Sequence, residues 1–344
     1  MWYNPKGVIK MKTVSVSIAN YCVPCECRCR YCLLASCGKT TGVDQQEAME
    51  FADRVFGEIR EARPEIANGS YYVGYSMDMP DLAGYIRYGR ERNYPCGKFL
   101  QMNGFAFRTD KELDKLLSTI RDEHIELMDL TFYGTEEYHD RFAGRKGDFT
   151  FDLRMLAAAN RAGVPVTISV PLMKENLSQL TELLHTLQQY ETRRIRFFPP
   201  HSKGRGRSIL DQRITKPEFD NLPEEIRGRF ILTKHMTEAE WLASGAMTEP
   251  EKRSLTLVLT PENFDRLQAM SGVEILAALE GLDDRYLEQM PSVQELAKRY
   301  GNPEGQELYR IRDLALRWEQ QYIADTGNTI WDMHDETHHF AVHE

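Results

Sequence analysis

The 344-residue chain lacks several features that would fix its class at once. It has no apolar run near eighteen residues, and its start has no basic stretch followed by an apolar core and a small-residue cleavage site. The sequence therefore predicts neither a membrane span nor a secretory signal, and a cytoplasmic location. Lys and Arg number 43 against 52 Asp and Glu, a net charge of −9. That argues against a chain that coats nucleic acid and leaves room only for a local basic pocket. No glycine fingerprint follows the first strand-like run, where a dinucleotide-binding fold would carry one. Cysteine is absent after Cys96, and six of the seven (Cys22, Cys25, Cys27, Cys29, Cys32 and Cys37) crowd into one short stretch. Disulfide scaffolds belong to small secreted chains; this density in a chain long enough for a sizeable core points to bound metal.

Between residues 13 and about 207, short β-branched runs alternate with stretches of helical period, the pattern of βα units on a parallel sheet. Strands are predicted at 13–19, 70–75, 98–102, 126–132, 165–170 and 194–198. Helices are predicted at 45–62, 109–120, 149–162 and 177–189. The first carries Met49, Ala52, Val55, Phe56 and Ile59 on one face, and the third stops at Gly163. Six units without an eighth-strand closure predict an α/β fold, a partial (β/α)6 TIM-like barrel over 13–207. An N-terminal segment, 1–12, precedes it and a mainly helical extension, 208–344, follows. In the extension a strand-like run is expected at 254–259, with helices near 261–269, 273–279, 292–300 and 308–324. Ligands of such folds sit beyond the carboxyl ends of the strands, where the cysteines, Asp78, Asn103 and Tyr133 fall.

Cys25-Glu26-Cys27-Arg28-Cys29-Arg30-Tyr31-Cys32 contains the spacing C-x3-C-x2-C with an aromatic residue before the last cysteine. Three thiolates on one loop can hold three irons of a [4Fe–4S] cluster and leave the fourth open to an exogenous ligand. A structural zinc site on Cys22, Cys25, Cys29 and Cys32 is the alternative and would make the chain a binding module without turnover, although zinc ribbons separate their cysteine pairs further. Cys22, Cys27 and Cys37 read as packing or spare thiols.

These residues resemble the radical S-adenosylmethionine (SAM) superfamily, and the core is similar to its peptide-modifying, SPASM-type branch. The resemblance implies an oxygen-sensitive enzyme whose cluster reductively cleaves SAM to a 5′-deoxyadenosyl radical that abstracts hydrogen from substrate. It also implies a flavodoxin- or ferredoxin-type electron donor. Cys25, Cys29 and Cys32 are the implied catalytic and metal-binding residues. The family's Gly-Gly-Glu-Pro after strand two corresponds to Ser76-Met77-Asp78-Met79-Pro80, with Asp78 expected at the methionine amino group. Its Thr-Asn-Gly appears as Met102-Asn103-Gly104. Its Ser-x-Asp-Gly appears as Thr131-Phe132-Tyr133-Gly134, followed by His139-Asp140 and Gly147-Asp148-Phe149. A family arginine falls on Ala143, so Arg145, or else Arg141, is expected to pair the methionine carboxylate. Ser169 and Asn176 are similar to positions that touch the ribose or line the mouth. The implied cofactor-binding set is thus Tyr31, Ser76, Asp78, Asn103, Thr131, Arg145 and Ser169.

The cysteines that would hold auxiliary clusters in that branch's C-terminal domain are absent here. The expected substrate is a ribosomally made peptide, with a small metabolite such as a nucleotide or sugar as the alternative. No membrane or nucleic-acid partner is expected. The basic run Arg193, Arg194, Arg196, His201, Lys203, Arg205 and Arg207 reads either as an anion-holding site or as a solvated turn. His334, His338, His339 and His343 read as a frayed polar terminus or a metal-binding tail.

Overall fold

In the computed structural model, described over residues 12–32, 42–66, 68–202, 204–231, 234–246 and 252–327, the chain begins with strand β1 (Lys12–Asn20), whose second half is buried. Cys37, Lys203 and the histidine-rich tail lie outside the described residues. Helix α1 (Gln45–Ala62) starts at Asp44, whose carboxylate accepts hydrogen bonds from the N–H groups of Gln46 and Glu47. It buries Ala48, Phe51, Ala52, Val55, Phe56 and Ile59, one face at helical spacing. The pattern then repeats: β2 (Asn68–Tyr72), α2 (Leu82–Glu91), β3 (Phe99–Gln101), α3 (Asp110–Asp122), β4 (Leu127–Thr131), α4 (Glu136–Ala143), α5 (Asp148–Ala162), β5 (Val166–Pro171), α6 (Leu180–Leu187) and β6 (Arg194–Phe198). A capping box between Thr109 and Glu112 starts α3, and Gly163, at φ 70°, ends α5 in the left-handed conformation. Helices α2 and α4 are absent from the sequence prediction. The first carries two glycines and the second spans only eight residues, so neither presents a long apolar stripe.

The remainder contributes α7 (Lys216–Asp220), α8 (Glu224–Arg227), β7 (Met236–Thr237), α9 (Glu238–Ser244), β8 (Lys252–Leu259), α10 (Pro261–Gln268), α11 (Gly272–Gln289), α12 (Val293–Tyr300), β9 (Leu308–Tyr309) and α13 (Ile311–Thr326). The two longest helices here differ from expectation at their ends: α11 runs ten residues beyond the expected 279, and the segment expected as helix from 308 opens as β9 before turning helical.

Strands β3, β4, β5 and β6 form one parallel sheet in chain order, and β2, β1 and β8 form another. The turns Ser76–Asp78 and Pro95–Gly97 pack against the strands at the seam between β2 and β3. The run at 254–259 is therefore part of a seventh parallel strand rather than an isolated feature of the extension, paired with β1 from Lys12↔Lys252 to Asn20↔Leu259. Arg253 helps pin this pairing. Its side chain is 1% exposed, donates to Thr13 Oγ1 at 3.0 Å and pairs with buried Asp283 at 3.0 Å. Helix α11 returns over α1, and Gly272 permits the close approach: a Cβ there would stand 2.6 Å from the Val55 carbonyl oxygen. A second apolar core gathers Trp241, Tyr286, Leu314 and Trp318, where the Trp318 indole donates to buried Glu238 at 2.9 Å. Among the described residues no helix is long and apolar enough to cross a membrane.

Candidate active site

The loop after β1 carries the cysteines past the carboxyl ends of the strands, where backbone hydrogen bonds fix its path. Glu26 N–H donates to the Gly104 carbonyl at 2.7 Å, Arg28 N–H to Ala143 at 2.6 Å and Arg30 N–H to Phe142 at 3.0 Å. The last two acceptors are free carbonyls at the end of α4, so a helix terminus supplies the cradle. Gly104, at φ 86°, completes it: a Cβ there would stand 2.4 Å from Cys25 Sγ. Arg205 N–H donates to the Cys32 carbonyl at 2.8 Å, which places the Gly204-Arg205-Gly206 turn after β6 against the cysteine loop.

Cys25, Cys27, Cys29 and Cys32 all line one cavity of about 630 Å³ that opens at this end of the barrel. Cys22 is half-buried outside it, donating to Gln45 Oε1 at 3.3 Å. Two tyrosines face the thiols. The Tyr133 hydroxyl donates to Cys29 Sγ at 3.3 Å, and the Tyr75 hydroxyl lies 3.9 Å from Cys32 Sγ. Burial, with the neighbouring thiols, pushes both phenols above their usual range, so they remain protonated. Cys27 also lies beside Asp148, 3.6 Å from Oδ2. Hydrogen bonds with Cys25 and Cys29, with Arg145 alongside, hold its thiol far below the ordinary range, while Cys29 is pushed up, chiefly by Cys27.

The cofactor-binding residues expected from the sequence divide. Tyr31, Ser76, Asn103, Thr131 and Ser169 line the cavity. Asp78 does not: its carboxylate is ion-paired with Arg108 and accepts the Ala106 N–H at 2.6 Å, so it ties two loops together. Arg145 does not line it either. Its guanidinium donates to the Phe105 carbonyl at 2.8 Å, pairs with Asp148 at 3.3 Å and lies 3.6 Å from the centre of the Phe107 ring. Arg141 is exposed over Tyr138. Asn176 is a buried clamp, donating to the carbonyls of Tyr133 at 2.7 Å and Pro171 at 2.8 Å. Even Asn103, which lines the cavity, spends its amide on Thr131 N–H (2.7 Å), Thr131 O (3.1 Å) and Asp152 (3.1 Å).

Opposite the cysteines, a polar relay crosses the inner face of β4, β5 and β6. Arg196 Nε donates to Ser169 Oγ at 2.9 Å, and Ser169 Oγ donates to Asp129 Oδ1 at 2.9 Å. Burial pushes the Asp129 carboxyl up to about 6, against the opposing pull of Arg196 and Ser169. Asp129 was not among the residues singled out from sequence, although its position between Met128 and Leu130 in an otherwise apolar strand is the signal that finds it. His201 and Arg310 also line the cavity; among the described residues of the basic run, Arg196 and His201 do so and the others do not. Arg310 comes from the residue before α13, held by Asp313 at 2.8 Å, and no local pattern marks it.

The fold is similar to that of SuiB of Streptococcus suis in its complex with the precursor peptide SuiA. That structure superposes with a TM-score of 0.50 over 72% of this chain and 58% of that one, at 11% identity. What is shared at this identity is the fold, a mixed α/β fold with parallel sheets. Sequence relatives match shorter stretches. The Fe-coproporphyrin III synthase of Methanosarcina barkeri is 26% identical over 141 residues, 41% of this chain and 33% of that protein. The antilisterial bacteriocin subtilosin biosynthesis protein AlbA of Bacillus subtilis is 24% identical over 191 residues, 54% and 39% respectively. The chain thus spans well under half the length of these curated relatives. No family model matches.

Proposed function

We propose that the chain is a radical SAM enzyme. In this reading Cys25, Cys29 and Cys32 hold a [4Fe–4S] cluster, which supplies the electron that cleaves SAM to a 5′-deoxyadenosyl radical. One observation carries it: thiols at C-x3-C-x2-C spacing line a single cavity beyond the carboxyl ends of parallel strands. The fit is supported by Gly104, whose missing side chain leaves the space that Cys25 Sγ occupies, and by a set of soft thiolate donors suited to iron. Tyr31, Ser76, Asn103, Thr131 and Ser169 border the space left for SAM. Asp78 and Arg145, committed to Arg108 and Asp148, support the walls instead.

The substrate we propose is a ribosomally made peptide. The likeness to a barrel crystallised with a precursor peptide and the match to a bacteriocin biosynthesis protein favour it. The match to a porphyrin-forming synthase favours the second reading, a small metabolite. A flavodoxin- or ferredoxin-type protein of the cytoplasm is the proposed electron donor.

The test is anaerobic purification, reconstitution with iron and sulfide, reduction and addition of SAM. The expected result is about four irons per chain and 5′-deoxyadenosine in the product. A colourless protein with stoichiometric zinc and no cleavage after reconstitution would establish the zinc-binding module instead. A short open reading frame beside the gene, whose peptide gains a new mass only in the complete reaction, separates peptide from metabolite.

A further inference from the structure

Tyr133 is held with unusual care for a residue that only fills space. Its carbonyl accepts from Asn176 at 2.7 Å, its N–H reaches His139 Nδ1 at 3.3 Å, and its ring lies 4.5 Å from the Phe142 ring centre. Asn176 is fully buried and is itself fixed by Pro171 and the Met173 N–H. These contacts set the backbone and the ring; the hydroxyl they aim ends 3.3 Å from Cys29 Sγ. The motif it occupies has aspartate in the resemblance drawn from sequence, and an ionised carboxylate accepts hydrogen bonds but cannot donate one.

A donor aimed at a ligand sulfur stabilises the state in which that sulfur carries more negative charge. Hydrogen bonds of this kind are among the levers that set the potential of an iron–sulfur cluster. Resting on the cluster assignment proposed above, we infer that Tyr133 is a positioning residue that donates a hydrogen bond to the Cys29 thiolate and makes the bound cluster easier to reduce. Adding one electron from the donor protein raises the charge on the sulfurs, so the bond strengthens on reduction and the midpoint potential moves up. The Tyr75 hydroxyl, 3.9 Å from Cys32, is too distant for an equal effect.

The experiment reconstitutes the full chain, Tyr133→Phe and Tyr75→Phe without oxygen and without SAM. Iron and sulfide are counted, and the midpoint is read by a redox titration followed by electron paramagnetic resonance. Equal iron in all three, with Tyr133→Phe shifted to a more negative midpoint and Tyr75→Phe shifted less, supports the assignment. An unchanged or more positive midpoint for Tyr133→Phe at equal iron overturns it while leaving the proposed activity standing. Should Tyr133→Phe hold no cluster, ring-fluorinated tyrosine at 133 decides. It has the same shape and a stronger donor, so a more positive midpoint supports the inference and an unchanged one overturns it. A wild-type chain that binds no cluster overturns the proposed function and this inference with it.

Discussion

The cavity has two walls of different origin. The cysteine wall is one short loop, with its thiols within eight residues of one another in sequence and its backbone bonded to Gly104, Phe142 and Ala143. The opposite wall, Asp129, Ser169 and Arg196, comes from three strands and exists only because the β4–β5 and β5–β6 registers bring those side chains to one inner face. The cysteine wall has its donors close in sequence and leans on Gly104, Phe142 and Ala143 for its path; a wall made of register fails when the strands shift. The first suits a metal that needs a fixed set of donors. The second offers an acid and a cation, 3.4 Å apart, in the lining of the same cavity.

The largest difference between the walls is expected from the cysteines. Cys29→Ala should lose the cluster and SAM cleavage to background, whereas Cys27→Ala, measured beside it for iron and 5′-deoxyadenosine, should keep both. Cys27 lies against Asp148 and Arg145 as well as the other thiols, so loss of iron in this variant would show that the loop's fourth thiol is a ligand.

Breaking the clamp between the ends of β4 and β5 comes next. Asn176 serves the carbonyls of Tyr133, after β4, and of Pro171, at the end of β5. Asn176→Ala leaves buried backbone groups unpaired and should cost about 1–3 kcal/mol in a urea melt, with cluster content falling less than in Cys29→Ala. An unchanged melt would show that water takes over the amide's place.

The strand wall has its own signature in pH. The Asp129 carboxyl titrates in the folded chain near 6, above its unfolded value of about 3.9. The folded state therefore holds the extra proton between those values, and stability falls as pH rises through the window from about 4 to 6, then levels. The loss is of order 1–3 kcal/mol. In Asp129→Asn the fall in melting temperature between about pH 4 and pH 7 should be smaller than in the wild type; equal falls would place the titrating group elsewhere. The smallest effect is expected at Asp78. Removing it breaks a partly exposed pair with Arg108 (side chains 15% and 32% exposed), so Asp78→Asn should change the SAM concentration for half-maximal cleavage by less than about twofold. A tenfold change would bring Asp78 back to the methionine amino group.

The positions of β1 to β6 were legible because short β-branched or aromatic runs alternate there with stretches of helical period, whereas the two-residue strands β7 and β9 are too short to show one. The predicted 194–198 is β6 to the residue, and α1 follows its apolar stripe from Gln45 to Ala62. The motif residues split by a rule that sequence does not show. Asn103 and Ser169 point along strand ends into the cavity, but Asp78 and Arg145 sit on turns where a nearer partner of opposite charge captures the side chain. At roughly 3 Å such a pair outweighs attraction to a distant ligand.

By itself the sequence determined the cysteine spacing, the alternation of strand and helix and therefore the class of fold, since these depend on neighbours along the chain. The tertiary structure alone decided that Lys252–Leu259 pairs with β1, that Asp129, Ser169 and Arg196 share a face, and that Arg310 reaches the same cavity as Cys25. Those contacts join residues far apart in the chain. Parallel pairing and a shared cavity are set by how the whole sheet twists and closes, and no local run of residues records it.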